Sequence, residues 1–374
     1  MSETASTELI YQIILTQLPG VGTKSARKLV NAIGSAEAIF KEKPTQLALI
    51  PTLGEQVARL IKITPDLYER AEKELAFIDK FKIRTLYLTD EAYPLRLKQC
   101  ADAPVLLYTL GNADYNSQRI VSVVGTRSPT DYGKEMCRYL VKGLADLDVL
   151  VVSGLAYGID TVAHKSALDA SIPTVGVLAH GLDRVYPSVN SDLAHKMIQN
   201  GGLVTEFISN NEPDRENFPM RNRIIAGLAD ATIVIEAGSK GGALITADIA
   251  NSYDRDVFAV PGRVSDKYSE GCNTLIKTNR AALVQKPEDI LYIMGWEKPA
   301  DRKQVKQKEL FIDLDPNQEA IVKLLKEEGE CGIDKICSNC NLSPGKLASI
   351  LLDMECNGLV LSLPGKVFKL SDLN

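Results

Sequence analysis

The sequence predicts an α/β protein whose centre is a doubly wound, mostly parallel sheet, with an all-α domain before it and a small helix-and-hairpin domain after it. Three observations lead to this prediction. Between residues 84 and 300, short apolar runs alternate with helical stretches. Gly and Pro divide the first 80 residues into short helices, and the chain closes with two short apolar runs around Pro364–Gly365. A length of 374 residues allows two or three such domains.

Residues 1–82 are predicted to form a helical domain. Leu18-Pro19-Gly20-Val21-Gly22, followed by Lys24, resembles a SAM/helix-hairpin-helix-like hairpin, and Ile50–Gly54 is a degenerate second copy. Because the segment carries equal numbers of acids and bases, direct DNA contact and a packing or protein-contact role both stay open. The predicted helices are Leu9–Leu18, Ser25–Ile33, Ser35–Phe40, Thr45–Ile50, Gly54–Ile63 and Asp66–Phe81.

Residues 83–296 are predicted to form a Rossmann-like domain. Each apolar run is followed by a Gly- or Pro-containing turn and then a helical stretch, at a spacing of roughly 25–30 residues that is typical of βα units. Continuous apolar strands of this kind indicate a parallel sheet that is covered on both faces. The predicted strands are Arg119–Val124, Val149–Val152, Thr174–Leu178, Leu203–Phe207, Thr232–Ile235 and Val257–Val260.

Residues 297–317 are polar, carry charges of both signs and are predicted to be a linker. Residues 318–374 then give three helical stretches and an apolar hairpin, which together indicate a winged-helix-like domain. Its predicted helices are Gln318–Glu328, Ile333–Cys337 and Ser343–Asn357.

Composition and charge exclude several classes of protein. No apolar run is long enough for a transmembrane helix, and the start of the chain lacks a basic signal region, so we expect a cytoplasmic protein with reduced cysteines and no membrane partner. Cys337 and Cys340 have C-x-x-C spacing without a second pair, so no metal site is predicted. The net charge of −5 argues against coating nucleic acid by bulk charge, so any nucleic-acid site must be a local groove.

Two loops that follow predicted strands have the composition of anion-binding turns. Gly125 allows close approach of a ligand, Thr126 offers a hydroxyl, and Arg127 supplies a guanidinium that matches phosphate. Ser153 and Gly154 open a second glycine-containing turn. The alternative for the first loop is a structural turn with a surface arginine.

Two further loops add cations and an aromatic side chain. Arg215, Phe218, Arg221, Asn222 and Arg223 combine guanidinium groups that can follow phosphates with a ring that can stack on a base. We predict a loop here, and the alternative is the start of a helix whose arginines pair with nearby acids. Lys240, Gly241 and Gly242 would form an anion cradle before a helix, or allow close helix–sheet packing.

Catalytic motifs are missing from the sequence. There is no H-E-x-x-H, no G-x-S-x-G elbow and no P-loop, so we predict neither an enzyme nor a bound cofactor. The strand-end loops should instead meet at one edge of the sheet, which would place Arg127 and Phe218 on the same side of the molecule.

At these loops the sequence resembles the DNA-processing protein A family (DprA, also called Smf). The matching stretches occur in the order of the family and cover residues 90–285. They are VVGTRSPTDYG, VVSGLAYGIDTVAH, GLDRVYPSVNSDL, FPMRNRIIAGLAD, EAGSKGGALITA, DVFAVPG and GCNTLI.

The resemblance implies a Rossmann-like core that binds single-stranded DNA, forms a homodimer through this domain and loads the recombinase RecA during natural transformation. The family's G-S/T-R motif maps onto Gly125, Thr126 and Arg127, and its basic residue and nearby Phe map onto Arg215 and Phe218. Arg221, Asn222 and Arg223 match the same motif, as Lys240, Gly241 and Gly242 match a further loop in which Ser often precedes the glycine.

Two other functions stay open. The first is a nucleotide-processing Rossmann-like hydrolase of the lysine-decarboxylase-like type, although Gly241–Thr246 lacks the G-T-x-x-E that carries the catalytic Glu. The second is an adaptor that recruits RecA or transcription factors through its end domains, for which the acidic balance of residues 301–374 favours protein contact over DNA contact.

Overall fold

The computed structural model describes residues 3–296, 314–357, 359–363 and 365–370. The chain divides into two compact units, residues 1–301 and 302–374. Most of the predicted linker, residues 297–313, lies outside the described residues, and the predicted boundary at residue 83 stays a prediction. Within the described residues, no helix is both long and apolar enough to cross a membrane.

Six helices form the N-terminal part of the first unit. Their apolar side chains join the same hydrophobic core as strands of the sheet. The Glu74 carboxylate, which is 1% exposed, accepts a hydrogen bond of 3.0 Å from the Ser209 amide and so ties this segment to the sheet's loops. The helices are α1 (Glu3–Gln17), α2 (Thr23–Ile33), α3 (Ala36–Lys41), α4 (Pro44–Leu47), α5 (Glu55–Leu60) and α6 (Pro65–Phe81).

A nine-stranded sheet forms the centre of the first unit. The strands are β1 (Arg84–Tyr87), β2 (Leu106–Gly111), β3 (Arg119–Val124), β4 (Val149–Ser153), β5 (Thr174–Val177), β6 (Gly201–Thr205), β7 (Ala231–Val234), β8 (Asp256–Ala259) and β9 (Ala282–Leu283). Their spatial order is β1-β2-β6-β5-β4-β3-β7-β8-β9. In this spatial order, all neighbouring strands between β6 and β9 pair in parallel. At the other end of the sheet, β1 pairs antiparallel with β2, and β2 pairs antiparallel with β6.

The strand order reverses beside β3, because the chain moves from β3 through β4 and β5 to β6 and then returns to place β7 on the other side. In such doubly wound sheets, ligands bind beyond the carboxyl ends of the strands at this switch point. The predicted Rossmann-like fold class is confirmed, and the topology makes the ends of β3 and β7 the place to look for a site.

Helices pack on both faces of the sheet, and separate apolar clusters lie on the two sides. Val121, Val123 and Val149 belong to one of these clusters, whereas Ile120 and Val124 belong to the other, as expected for strands that are buried on both faces. The helices are α7 (Leu95–Gln99), α8 (Asp131–Lys142), α9 (Ile159–Asp169), α10 (Ser191–Gln199), α11 (Asn217–Leu228), α12 (Gly242–Ser252), α13 (Glu270–Lys277) and α14 (Pro287–Met294).

The loop predicted around Phe218 was wrong, because α11 covers Asn217–Leu228. Phe218 and Pro219 lie in its first turn, where Pro lacks an amide that would have no helical partner anyway. A helix also separates residues two positions apart, because side chains at i and i+2 do not share a face. Arg221 and Arg223 therefore point to different surroundings.

The second unit has three helices and a three-stranded sheet around its own apolar core, which confirms the winged-helix-like prediction. The sequence did not predict β10, which is three residues long and pairs with β12. The elements are α15 (Pro316–Glu328), β10 (Glu330–Gly332), α16 (Ile333–Cys340), α17 (Pro344–Cys356), β11 (Val360–Leu363) and β12 (Val367–Leu370).

Candidate nucleic-acid interface

A cavity of about 460 Å³ opens where β3 and β7 end, at the switch point of the sheet. All four loops predicted to converge contribute to its walls, and Ala156 represents the loop that Ser153 and Gly154 open. The predicted site residues that line it are Gly125, Thr126, Arg127, Phe218, Arg221, Asn222, Lys240, Gly241 and Gly242.

Arg127 and Phe218 lie on the same side of the molecule. The Cζ atom of Arg127 is 5.3 Å from the centroid of the Phe218 ring, and that of Arg221 is 5.9 Å from the same centroid. Phe218 is half-buried and Arg127 is exposed. Two guanidinium groups thus lie close to one aromatic ring, which brings together the side chains that can bind phosphates and stack on a base.

The backbone of the Gly125–Arg127 loop is fixed from two sides. The Thr126 amide donates to the Glu236 carbonyl at 2.7 Å, and the Thr126 carbonyl accepts from the Ile159 amide at 3.2 Å. Gly158, at φ +81°, lets the chain pass so closely that a Cβ there would collide with the Thr126 carbonyl. The loop that presents Arg127 is therefore positioned by its neighbours.

Glu236 has a structural role in this part of the site. Its side chain is buried, and the carboxylate accepts hydrogen bonds from the Thr130 amide at 2.9 Å and the Thr130 hydroxyl at 2.5 Å. It thereby holds the segment after Arg127 against the end of β7. Although Glu236 opens one of the predicted loops, it is not among the residues that line the cavity.

Arg221 forms part of the cavity wall although it is only 4% exposed. Its Nη1 atom donates to the carbonyls of Gly154 and Val177 at 2.6 and 2.7 Å. Burial lowers the pKa of Arg221 to about 10, an effect that the nearby Asp160 carboxylate opposes, so the guanidinium stays charged at neutral pH. Burial also raises the pKa of Asp160.

The lining of the cavity is positively charged, in contrast to the whole chain. It contains four basic side chains, and Asp160 is its one acid. Gly241, Gly242 and Ala243 bring the N-terminal end of α12 to the same cavity, where the helix dipole favours an anion. The basic residues are Arg127, Arg221, Lys240 and Lys267.

The other predicted site residues do not line the cavity. The Ser153 hydroxyl is buried and donates to the Val123 carbonyl at 2.6 Å, and Gly154 lies behind Arg221 in a smaller slot. Arg215 is exposed outside the cavity. The buried Arg223 pairs with Glu206 and donates to the Asp102 carbonyl, so it packs α11 against neighbouring loops. DNA contacts by these four residues stay predictions, as do those by the residues that line the cavity.

The sequence analysis missed several side chains of the site. Lys267 and Tyr268 line the cavity, and the Tyr268 carbonyl accepts from the Ala237 amide at 2.8 Å. They follow β8, so their position after a strand that neighbours β7 was the available signal. Tyr186 places its ring centroid 6.2 Å from that of Phe218, a proximity that depends on tertiary structure.

The chain matches the family described as DNA recombination-mediator protein A over residues 84–295, more than half of its length. It belongs to the DprA/Smf family. Residues 13–64 match the SAM-like helix-hairpin-helix tandem, and residues 308–366 match the DprA winged helix domain. The family assignment thus extends to both accessory regions of this DprA/Smf member.

Individual relatives agree with this assignment. Protein Smf of Synechocystis is 31% identical over 400 residues, which cover 96% of this chain and 98% of that protein. The X-ray structure of DNA processing protein A (DprA) from Streptococcus pneumoniae is 32% identical, with a TM-score of 0.65, and covers 77% of this chain and 98% of that one. A structure of DNA processing protein A from Helicobacter pylori, described for its single-stranded DNA binding mode, is 28% identical with a TM-score of 0.53 and covers 58% and 98%.

Proposed function

We propose that this DprA/Smf family member binds single-stranded DNA in the cavity at the switch point, protects incoming DNA and loads RecA onto it during natural transformation. The observation that carries the DNA-binding part is the cavity itself, whose lining combines four basic side chains with the ring of Phe218, and two of those side chains lie close to that ring. Cations that follow phosphates and an aromatic platform for bases are the two parts that single-strand binding requires.

The geometry favours single strands over duplex DNA. Phe218 is half-buried inside a cavity of about 460 Å³, so a base reaches it only after leaving its stack. A duplex offers phosphates on its outside but keeps its bases paired and stacked, and would lose the contribution of the ring. The single-stranded DNA binding described for the Helicobacter pylori relative supports the same choice.

Affinities for single- and double-stranded oligonucleotides of the same length and sequence test this proposal. Fluorescence anisotropy of the full chain should show at least about fivefold tighter binding of the single strand, because stacking on even one ring is worth about 1–3 kcal/mol per base. Equal affinity for both forms, or binding to neither at low salt, would contradict the proposal. If the full chain bound neither form, the adaptor hypothesis would be favoured instead.

RecA loading and a homodimer through the Rossmann-like domain are proposed on the resemblance to the family. RecA hydrolyses ATP when it is assembled on single strands, so this protein should shorten the lag of RecA ATPase on strands that are already coated by a single-strand-binding protein. An unchanged lag would exclude loading. Light scattering of the full chain should give twice the mass of 40.8 kDa, and a monomer at micromolar concentration would exclude the dimer.

We propose that the chain acts by binding rather than by catalysis. The hydrolase alternative needs a carboxylate that can act on a sugar, but Glu236 is held by Thr130 and Asp160 is buried beside Arg221. Incubation with AMP should therefore release no ribose phosphate. Release that disappears in an Asp160→Asn variant would restore the hydrolase hypothesis.

A further inference from the structure

A buried polar cluster joins the N-terminal helices to the segment that leads into α11. It consists of Arg70 and Glu74 on α6 and Ser209 after β6, and we call it the α6 clamp. The Glu74 carboxylate accepts hydrogen bonds from the Ser209 amide at 3.0 Å and from the Ser209 hydroxyl at 2.5 Å. Arg70 donates to the Ser209 carbonyl and, at 3.1 Å, to the Glu74 carboxylate. The amide, the hydroxyl and the carbonyl of Ser209 are therefore all bonded to α6.

The α6 clamp fixes the direction of this contact as well as its existence. Apolar side chains of α6 and of the sheet share one core, but hydrophobic burial is not directional and would allow the segment to shift. Glu74 and Ser209 are 1% and 5% exposed, so the hydrogen bonds between them are shielded from water. Bonds to a charged group are stronger than neutral ones, and breaking them would leave a buried carboxylate underpaired. Residues 208–211 are thus bound in one position relative to α6.

From Ser209, hydrogen bonds continue to the first residue of α11. The Asn217 side chain donates to the side-chain oxygen of Asn211 at 3.0 Å and to the Glu212 carbonyl at 3.1 Å. Asn217 begins α11 and directly precedes Phe218. A continuous series of short contacts therefore connects α6 with the turn that presents the aromatic ring to the cavity.

The first turn of α11 depends on this support. All residues from Arg221 to Leu228 are buried, whereas Phe218 is half-buried and the two residues after it are exposed. The N-cap residue Glu216 forms no hydrogen bond through its side chain, so the free amides of the first turn lack that cap. The core therefore fixes the body of the helix, and the contacts of Asn217 decide where its first turn lies.

We propose that Arg70 and Glu74 are positioning residues for strand binding, which bond Ser209 and thereby keep the Phe218 ring beside Arg127. The inference rests on the proposed function. It gives the N-terminal helices a part in strand binding that requires no contact between them and DNA. The ring is 5.3 Å from the guanidinium of Arg127 in the clamped arrangement, so a shift of the first turn of α11 would separate the stacking group from the charge.

A second support of the same segment limits the expected effect. The Asn210 amide donates to the Asp183 carboxylate at 3.0 Å, and the Gly181 amide donates to the Asn211 carbonyl at 3.3 Å. Loss of the α6 clamp should therefore not unfold the segment, but should let the first turn of α11 leave the binding arrangement for part of the time. The apparent affinity then falls in proportion to the fraction of molecules that remain in that arrangement.

Arg70→Ala removes one side of the α6 clamp. The Arg70 side chain is 28% exposed, so water can fill the space that it leaves. In fluorescence anisotropy of the full chain with oligo-dT we expect about fivefold weaker binding, which corresponds to about one fifth of the molecules in the binding arrangement. The salt slope should stay unchanged, because no phosphate contact is lost. Arg59→Ala is the matched control, since Arg59 forms the same i,i+4 pair with Glu55 at the surface of α5, and it should keep wild-type affinity.

A double-mutant cycle separates positioning from a general loss of stability. If the clamp acts through the Phe218 ring, Arg70→Ala has no ring left to misplace in a Phe218→Ala background, and the double variant should bind like Phe218→Ala alone. If Arg70 only stabilised the fold, its removal would lower the affinity of both backgrounds by the same factor. Thermal unfolding of the four proteins confirms that each is folded at the temperature of the titration.

Glu74→Gln tests the other side of the clamp without changing the size of the side chain. The neutral amide attracts Arg70 less and has only one oxygen that can accept, so affinity should fall roughly 2-fold to 5-fold. Glu8→Gln is the control for the same substitution. The Glu8 carboxylate also accepts three hydrogen bonds, but from Ser35 and the first two residues of α3. This control should lower the melting temperature and keep wild-type affinity.

The outcomes distinguish this inference from the proposed function. No binding of oligo-dT by the wild-type chain contradicts the proposed function. Wild-type affinity in Arg70→Ala, or an equal loss in both backgrounds of the cycle, overturns the positioning role and leaves the function standing. Unchanged affinity in Phe218→Ala overturns it as well, because the clamp would have no ring to position. If Arg70→Ala does not fold, the cycle of Glu74→Gln with Phe218→Ala decides in the same way.

Discussion

At the scale of single residues, different side chains of the proposed site provide the charge that binds phosphate and the ring that stacks on a base. Arg127 is exposed and carries a charge that can pair with phosphate, whereas Phe218 is uncharged and presents a ring. Charge contacts release counterions from the strand and depend on salt, but stacking does not release them. The two residues should therefore leave different signatures when each is removed.

Arg127→Ala should weaken single-strand binding and flatten its salt dependence. The slope of log K against log[salt] should fall by about 0.7, the value for one phosphate contact on a single strand. Anisotropy titrations between 50 and 200 mM salt measure this slope. Arg280→Ala is the control. Arg280 directly precedes β9, so it lies at the amino ends of the parallel strands, whereas the cavity lies at their carboxyl ends. An Arg127→Ala slope equal to that of the control would remove the phosphate contact.

Phe218→Ala should cost about 1–3 kcal/mol of binding free energy and leave the salt slope unchanged, because the lost contact is a stack. The same titrations provide both quantities. Phe81→Ala provides the comparison, since Phe81 is 49% exposed on α6 outside the cavity. Wild-type affinity in Phe218→Ala would show that bases do not use this ring.

His164 shows how a buried residue near the site links stability to pH. Its Nδ1 atom lies 2.7 Å from the Thr174 hydroxyl, which itself donates to the Val151 carbonyl, so the ring is neutral with a proton on Nδ1. Burial, reinforced by Arg221, lowers the pKa of His164 to about 3. The unfolded chain takes up this proton near pH 6.5, so the folded state is disfavoured as the pH falls from there towards 3.

We expect His164 to remove about 2 kcal/mol from the free energy of unfolding between pH 6.5 and pH 5, at about 1.4 kcal/mol per pH unit. Urea titrations followed by the fluorescence of Trp296, which packs against the core that includes α9, measure the loss. His164→Gln should be less stable at pH 7 but should lose about 2 kcal/mol less on acidification. Parallel pH profiles for the two proteins would contradict this assignment.

At the scale of elements, the geometry of the site depends on backbone contacts between its loops. Gly158 ends the turn after β4 and lies against the backbone of Thr126 and Arg127. Gly158→Ala would place a residue with a Cβ at φ +81° and ψ −126°, which costs about 1–3 kcal/mol, and its Cβ would collide with the loop that carries Arg127. We therefore expect lower stability together with at least tenfold weaker single-strand binding.

Gly295→Ala separates these two effects. Gly295 also has a positive φ, +62°, but a Cβ there meets no atom within 4 Å. This control should lose about 1–2 kcal/mol of stability in thermal unfolding, less than Gly158→Ala because its Cβ meets no neighbour, and should keep wild-type affinity. If Gly158→Ala also kept its affinity, the position of Arg127 would not depend on this turn.

The elements also show what could be predicted from sequence. β3 was predicted at its observed bounds, Arg119–Val124, because a buried parallel strand is a continuous apolar run. β6 begins two residues before its prediction, because Gly201 and Gly202 look like a turn although they allow the close approach of neighbouring strands. The sequence analysis did not predict β1 and β2, because these antiparallel strands are not part of the alternating strand–helix pattern that it used.

Local patterns were less informative for the site than for the strands. The strand ends indicated where Arg127 and Lys240 would meet, since parallel strands end at one edge. The α11 segment was misread because clustered arginines were taken for a loop, although their separation by the helix decides that Arg221 and not Arg223 lines the cavity. The contact of Tyr186 with Phe218 joins distant loops and has no signal in either segment.

At the scale of the whole molecule, charge is distributed so that a net-negative protein can hold an anionic strand. The chain carries −5, yet the cavity lining has four bases and one acid. The second unit, residues 302–374, contains 10 basic and 11 acidic residues, so it has no excess of positive charge that would favour DNA contact. Strand binding should therefore belong to the first unit, which contains every residue of the cavity.

A chain that ends at residue 301 tests this division. The two units have separate cores, so the shortened chain should fold and bind single strands within about twofold of the full chain. Its salt slope should also be unchanged, because no phosphate contact is removed. Arg127→Ala in the shortened chain should lower that slope by about 0.7, as it does in the full chain. A shortened chain that binds tenfold more weakly with a flatter slope would instead assign phosphate contacts to the second unit, despite its excess of acids.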